Sequence, residues 1–342
     1  MSTPPPLPIA LIGLGRMGRF HLSALAHVPE IDVVALAEPS ADAMDAAAML
    51  RPAAARYANV GDALAHPGLE GCIVATPTLS HPDVVEAALE SGLHVLCEKP
   101  LSLDAARGDR LGATAAEHGR VLQTGFWRRF SPPWRTAKYH LDQHEIGAPL
   151  LLRLAQWDGD PPPPAFCDPA VSGGLAVDCG VHEYDLAEWL TGRSIRRVSA
   201  WTLPAVDGGV REAGDVDNLV AVLELDGGVV ATVDLSRNAR FGDDIRTEIL
   251  GSDGALLIDA LPTGRTRIGT RAGMRVLPDS EVGDVMAAGV AGQTRAFAAA
   301  VRGEPIEIPG AEASGRATRI GQAVIEAARI GRAVEIGAGI PR

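Results

Sequence analysis

A short apolar run at residues 9–12 leads straight into Gly13-Leu14-Gly15-Arg16-Met17-Gly18, and a helical stretch follows over 16–27. A GxGxxG turn between a strand and a helix restricts the fold more than anything else in the chain. Gly13 allows the tight turn, Gly15 lets a pyrophosphate approach the backbone, and Gly18 lets the helix close on the sheet. Phosphates then meet the helix N-terminus around Arg16 and Met17, where free N–H groups and the helix dipole favour an anion. A second strand over 32–37 ends in Glu38, about twenty residues beyond the last glycine, where an acid binds the adenosine ribose hydroxyls. The bland alternative is a loop acid at a strand end. With the glycine turn in register, the carboxylate argues against a 2′-phosphate. No Lys or Arg follows in Pro39-Ser40-Ala41. NAD is therefore expected in preference to NADP.

The alternation continues. Strands are expected at 71–75, 94–97 and 121–124, with helices over 42–50, 62–65, 81–91 and 103–118. Strands separated by helices predict an α/β protein whose N-terminal part, 1–125, is a doubly wound parallel sheet. Ligands gather at the carboxyl ends of such strands. There stand Thr76-Pro77 with His81 starting the next helix, and Glu98-Lys99-Pro100. Lysine is ordinarily a solvated loop residue, but here Glu98 and Pro100 hold it in a stiff tripeptide. A Lys-Pro bond at such a place is a candidate for the cis form.

Residues 126–342 read differently. A helix is expected from Pro132 to before Gly147, a strand over 150–157, and a proline-stiffened loop over 158–164. Strands follow at 195–203, 216–225, 228–235, 244–251 and 255–259, with Asp226-Gly227-Gly228 as a hairpin turn. Alternation at 216–222 implies antiparallel strands with one face covered. Structural helices over 283–301 and 313–331 and a short strand at 334–336 close the chain. The expectation is a C-terminal α/β domain on a large, mostly antiparallel open sheet. Trp127, Arg128 and Arg129 fit either a binding-site lining or an aromatic-basic hinge. Trp157 fits either a sugar-ring platform or a core position.

Between these elements lies Gly173-Gly174-Leu175-Ala176-Val177-Asp178-Cys179-Gly180-Val181-His182-Glu183-Tyr184-Asp185. In one helix, Asp178, His182 and Asp185 at i, i+4 and i+7 share a stripe. Apolar neighbours fill most of the remaining circumference, so the polar stripe needs partners or a cavity. The alternative reading makes Asp178 an N-cap and His182 a satisfied core histidine.

Composition bounds the function. A net charge of −12 argues against nucleic acid and acidic membranes as partners. Cys72, Cys97, Cys167 and Cys179 form no CxxC pair and read as reduced thiols of a cytoplasmic protein. The proline-rich start at 1–8 has no signal-peptide pattern and is expected to be a frayed arm. No zinc spacing occurs, so no metal is expected.

The ordered motifs Gly13–Gly18, Ala75-Thr76-Pro77, Cys97-Glu98-Lys99-Pro100 and Asp178–Asp185 together resemble the Gfo/Idh/MocA family, closest to inositol 2-dehydrogenases and related sugar dehydrogenases. The resemblance extends over nearly the whole chain. It implies NAD, a small polyol or sugar substrate, and a homo-oligomer, dimer or tetramer, formed through the open sheet. Lys99 matches the family lysine between nicotinamide and substrate. Asp178 and His182 match the acid and histidine that complete the catalytic set, and Asp185 a further substrate-contacting acid. Trp127 falls where the cofactor is covered, and Arg128 where substrate oxygens are reached. Phe241-Gly242-Asp243-Asp244 departs from the aromatic-rich stretch of inositol dehydrogenases, with Asp243 in place of an aromatic residue. Other activities within the resemblance are oxidation or reduction of an aldose, anhydrosugar or keto-sugar, an NAD-dependent glycosidase, and an NAD-sensing regulator without catalysis.

Overall fold

The computed structural model describes residues 4–159, 161–278 and 284–337. The tip of the N-terminal arm, Asp160 in the proline loop and the expected helix start at Gly283 lie outside them. The chain forms two compact units. One runs to Trp127 and takes in Ala287–Gly315; the other holds Arg128–Met286 and the chain from Arg316 onward.

The first unit alternates strand and helix: β1 (Leu7–Ile12), α1 (Arg16–Ala24), β2 (Ile31–Ala37), α2 (Ala41–Ala48), β3 (Ala55–Tyr57), α3 (Val60–Leu64), β4 (Gly71–Val74), α4 (His81–Glu90), β5 (His94–Cys97), α5 (Ala105–Glu117) and β6 (Leu122–Thr124). The strands pair in parallel in the order β3-β2-β1-β4-β5-β6. Strand β3 is an addition to the sequence reading, since Ala55-Arg56-Tyr57 carries no apolar run. Because the central strands β1 and β4 are buried on both faces, each feeds two cores. Ala10, Ile12, Cys72 and Val74 pack in one; Ile9, Leu11 and Ile73 pack in the other. The second core also takes Phe297 and Ala298. Their burial is why Ala287–Gly315 joins the first unit, a return that the linear division at 125/126 does not anticipate. The strand order reverses between β1 and β4, so the turn after β1 and the Thr76-Pro77 turn after β4 flank the crevice where such sheets bind ligands.

The second unit starts with α6 (Pro132–Asp142), β7 (Pro149–Trp157), α7 (Pro164–Cys167), α8 (Pro169–Ser172), α9 (Gly174–Asp178) and α10 (Gly180–Thr191). It continues with β8 (Ile195–Leu203), α11 (Gly208–Glu212), β9 (Asn218–Leu225), β10 (Val230–Ser236), β11 (Asp244–Gly251), β12 (Gly254–Leu261), β13 (Arg265–Thr270) and β14 (Gly273–Leu277). Helices α12 (Val285–Val301) and α13 (Ala311–Ile330) and strand β15 (Val334–Glu335) end the described chain. The nine strands run β14-β13-β12-β11-β7-β10-β9-β8-β15, all antiparallel except the β7–β10 pair. The proline segment gives way to α7 at Pro164, where the missing N–H of proline costs nothing at the first helical position.

The segment expected as one helix is two. Helix α9 ends at Asp178, and Cys179 stands at the N-terminus of α10 with no side-chain cap. Asp178 is therefore not a cap for the histidine helix. Gly192, at φ 65°, ends α10 in the left-handed conformation that glycine tolerates. Helix α10 packs on β7 and β10, and nearly every residue from Gly180 to Leu190 is buried.

Candidate active site

In the first unit the glycine turn has the form a dinucleotide requires. Gly13 has φ +87°, and a Cβ there would lie 2.7 Å from the Ala75 carbonyl oxygen and the Thr76 nitrogen. A Cβ on Gly18 would run into the Gly13 carbonyl oxygen, while the space beside Gly15 is open. Helix α1 has no side-chain cap and no acid in its first turn. Its N-terminal N–H groups thus suit a pyrophosphate, and Gly15 and Arg16 there are exposed, with Met17 half-buried. Glu38 folds back onto this turn: its carboxylate accepts from Leu14 N at 2.8 Å and Ser40 N at 3.0 Å. These contacts fix the acid beside the glycine loop.

Lys99 sits on a strap clamped from several sides. The Lys99–Pro100 peptide is cis. The His81 ring nitrogens each lie 2.8 Å from a main-chain carbonyl, Nδ1 at Pro100 O and Nε2 at Thr76 O. Leu101 N donates to Ser314 Oγ at 2.9 Å. Glu98 is buried, with Oε1 2.8 Å from His21 Nε2 on α1 and Oε2 accepting from Lys99 N at 3.3 Å. Burial pushes the Glu98 carboxyl up, but the His21 hydrogen bond and the nearby positive charge outweigh it and hold the group below the usual range. Burial holds the His81 imidazole below its ordinary pKa, against the pull of the two carbonyls. His81 and Glu98, both expected as cofactor contacts, have their polar atoms engaged within the protein, His81 by Pro100 O and Thr76 O and Glu98 by His21 and Lys99 N. Thr76 is half-buried and accepts from Ser80 Oγ at 2.9 Å; Pro77 is exposed and Trp127 buried. His21 was reachable from the sequence as the lone polar side chain on the buried stripe Gly18-His21-Leu22 of α1.

In the second unit the carboxylates on and beside α10 meet arginines. Arg237 Nη2 is 3.4 Å from Asp178 Oδ2, and its Nη1 donates to Asp215 Oδ2 at 2.8 Å. Arg128 pairs with Glu183 and donates to Gln156 Oε1 at 2.6 Å. Arg129 grips both oxygens of Asp185 at 2.8 and 2.5 Å. Arg316 Nε grips both oxygens of Glu188, at 2.7 and 2.8 Å. Burial pushes the Glu183 and Asp185 carboxyls up, opposed by Arg128 and Arg129 respectively. His182 shares this segment and exposes only 6 % of its surface. Gln156 Nε2 passes the network on to Asp158, at 3.1 and 3.2 Å, and Cys179 Sγ donates to Asp158 Oδ2 at 3.4 Å. Burial raises the Asp158 carboxyl in turn.

Two residues expected as substrate contacts are placed as follows. Arg128 is 2 % exposed and serves as the buried counter-charge of Glu183. Trp157 alternates with Gln156 along β7, so it points to the opposite face of the sheet from α10. There the Arg246 guanidinium lies 4.8 Å over its ring. Asp178 ends α9 and His182 stands in the first turn of α10, and Asp185 is held by Arg129. Asp243 accepts from Gly159 N at 2.8 Å and so ties the β10–β11 loop to the end of β7. Arg237 and Asp215 had no signal in the sequence: charges on a buried helix demand counter-charges, but not from any stated position. Among the described residues no cluster of metal-ligating side chains occurs, and no described helix is long and apolar enough to cross a membrane.

A dinucleotide cradle on a doubly wound sheet, joined to a second unit with a buried acid–histidine segment, defines the class: an NAD-binding oxidoreductase. Residues 7–126 match the oxidoreductase family's NAD-binding Rossmann fold and residues 134–257 the GFO/IDH/MocA C-terminal domain. The chain belongs to the GFO/IDH/MocA family. It is 33% identical over 253 residues to scyllo-inositol 2-dehydrogenase (NAD(+)) of Bacillus subtilis, covering 74% of this chain and 73% of that one. It is 33% identical over 302 residues to the myo-inositol dehydrogenase Hyg17 of Streptomyces leeuwenhoekii, covering 87% and 90%. The structure of scyllo-inositol dehydrogenase from Lactobacillus casei with bound NAD(H) and scyllo-inositol superposes with a TM-score of 0.83 at 26% identity, covering 97% and 100%.

The burial of α10 generates a prediction. Arg128→Met leaves the Glu183 carboxylate buried without its counter-charge and should cost about 3–5 kcal/mol in urea unfolding. Arg197→Met, which breaks a solvent-exposed pair with Glu224, should leave the urea midpoint nearly unchanged. Equal costs for the two would mean that the Arg128 pair carries no special weight.

Proposed function

We propose that this protein oxidises a secondary hydroxyl of a cyclitol or sugar, with an inositol as the first candidate. The observation that carries the reading is the Lys99 strap, clamped at the carboxyl end of β5 in the same unit as the open glycine cradle. Bound NAD supplies the hydride acceptor, and the protein supplies position and electrostatics. The residues that hold it are Gly13, Gly15, Arg16, Met17 and Glu38, with Thr76, Pro77 and Trp127 towards the nicotinamide end. Lys99 donates a hydrogen bond to the reacting oxygen and stabilises its alkoxide character. His182 takes the hydroxyl proton as general base. Asp178 orients this set and offsets its positive charge, and Asp185, held by Arg129, binds a neighbouring hydroxyl. Inositol-type names among the relatives support the substrate class. Asp243, where those enzymes carry an aromatic residue, leaves the particular polyol to experiment.

An NADH absorbance screen across inositols and common aldoses tests this. One polyol should give NADH accumulating in step with the ketone; product without accumulated NADH would point to glycoside cleavage with transient redox. With that polyol, His182→Ala and Lys99→Met should each lower kcat at least about a hundredfold and leave NAD binding nearly intact. Normal turnover in either variant would remove that residue from the chemistry.

Glu38 is proposed to favour NAD over NADP by repelling the 2′-phosphate. Glu38→Ala should lower the ratio of kcat/KM for NAD over NADP at least about tenfold; an unchanged ratio would take Glu38 out of the ribose site.

A homo-oligomer is part of the same proposal. The face of the nine-stranded sheet turned away from α10 exposes Trp201 (60 %) and Leu203 (51 %) on β8, with Val220 (38 %) paired to Trp201 on β9, exposed apolar side chains of the kind that mark interfaces. Light scattering on the purified protein should give a dimer or tetramer, and Trp201→Glu a smaller species; a monomer in both would exclude it. We also propose a cytoplasmic location. All four cysteines are free and buried, and recovery outside the soluble cell fraction would contradict that location.

A further inference from the structure

We propose that Arg237 is the positioning residue of the acid–base segment: it fixes the Asp178 carboxylate as an anion at the end of α9, while Asp215 holds the guanidinium in place. The proposal rests on the reading that Asp178 and His182 take part in the reaction.

Arg237 follows β10 and its side chain is completely buried. A fully buried guanidinium needs anions to face, and this one meets two, Asp215 at 2.8 Å and Asp178 at 3.4 Å. The two carboxylates have different duties. Asp215 also accepts from Leu175 N at 2.9 Å, the second residue of α9, and Gly174, at φ +68°, is pressed against its side chain. Asp215 therefore ties Arg237 to the start of the short helix, and Arg237 reaches from there to its end. Helix α9 is spanned by a carboxylate–guanidinium–carboxylate chain that leaves Asp178 little freedom to turn.

Charge makes the same arrangement electrostatic. Asp178 and Asp215 cluster here with the Cys167 and Cys179 thiols around Arg237, and Asp158 lies close to Asp178 and Cys179. Asp243 adds a further negative charge near Asp158, and His182 lies in the first turn of α10, which starts two residues after Asp178. Without the guanidinium, Asp178 would be a partly buried carboxylate among other acids and would take up a proton more readily. Loss of the cation also raises the affinity of the neighbouring imidazole for a proton. Both effects withdraw the proton-accepting form of the site at low pH. Removing the charge of Asp215 acts in the opposite sense, because the whole guanidinium charge is then left to Asp178.

The test measures kcat and kcat/KM against pH for wild type, Arg237→Met, Arg237→Lys, Asp215→Asn and Asp178→Asn. The substrate is the polyol that the wild-type protein oxidises, and NAD binding and melting temperature are followed in parallel. Arg237→Met should lower kcat at least about tenfold, keep NAD binding, and move the acid limb of kcat/KM up by about one pH unit. Arg237→Lys should recover part of both. Asp215→Asn should leave the acid limb where it is or move it down. A merely structural arginine would lower the melting temperature without moving the limb, and that result overturns the proposal. If Arg237→Met does not fold, Asp215→Asn decides alone: an upward shift of its limb contradicts the charge assignment. Full activity in Asp178→Asn would instead defeat the catalytic reading on which the proposal stands. Loss of activity in Asp178→Asn with a wild-type profile in Arg237→Met defeats the proposal alone.

Discussion

The second unit depends on one electrostatic constraint: ionisable side chains on and beside a buried helix must be matched. Asp178, Glu183, Asp185 and Glu188 lie on α9 and α10, and each is answered by an arginine from another part of the chain, Arg237, Arg128, Arg129 and Arg316 respectively. Burying a charge without a partner costs several kcal/mol. The 3-10 turn at Trp127–Phe130, the loop after β10 and helix α13 are therefore bound to the histidine segment by charge as well as by packing. Such pairs add little net stability over apolar packing. Their effect is to fix which way each side chain points.

That fixing suits catalysis. A proton acceptor works best when the groups around it are already oriented and need not reorganise during the reaction. His182 lies in a segment whose acids are held by arginines, and Asp178 is reached through a chain anchored at the start of its own helix. The first unit follows the same logic with different parts. His21, His81 and Ser314 clamp the peptide on either side of Lys99, so the backbone that carries the lysine is fixed. In both units hydrogen bonds and ion pairs hold the backbone around the candidate residues.

Much of this was legible in the sequence, for identifiable reasons. The glycine turn, the strand–helix alternation and the acid after β2 are local patterns, and a doubly wound sheet follows from them. The alternation in β9 and the turn at Asp226-Gly227-Gly228 likewise announce an antiparallel sheet. The rest is non-local. Nothing in Ala55-Arg56-Tyr57 marks an edge strand, and nothing before Phe297 indicates that α12 completes the core of the first unit. The break at Cys179 interrupts a pattern that reads as one continuous helix. Arg128 reads as a substrate contact because an arginine after a strand end usually is accessible, and only the fold places Glu183 against it. Which face Trp157 takes is likewise set by the fold: β7 turns Gln156 towards α10 and Trp157 away.

The account stands on direct transfer of a hydride from a carbinol carbon, with the hydroxyl proton taken by the protein. The most direct measurement places deuterium on that carbon of the accepted polyol and follows it through a single turnover. The account predicts that the deuterium is recovered in the reduced nicotinamide, with slower transfer than for the protiated substrate. Deuterium released into water would contradict it.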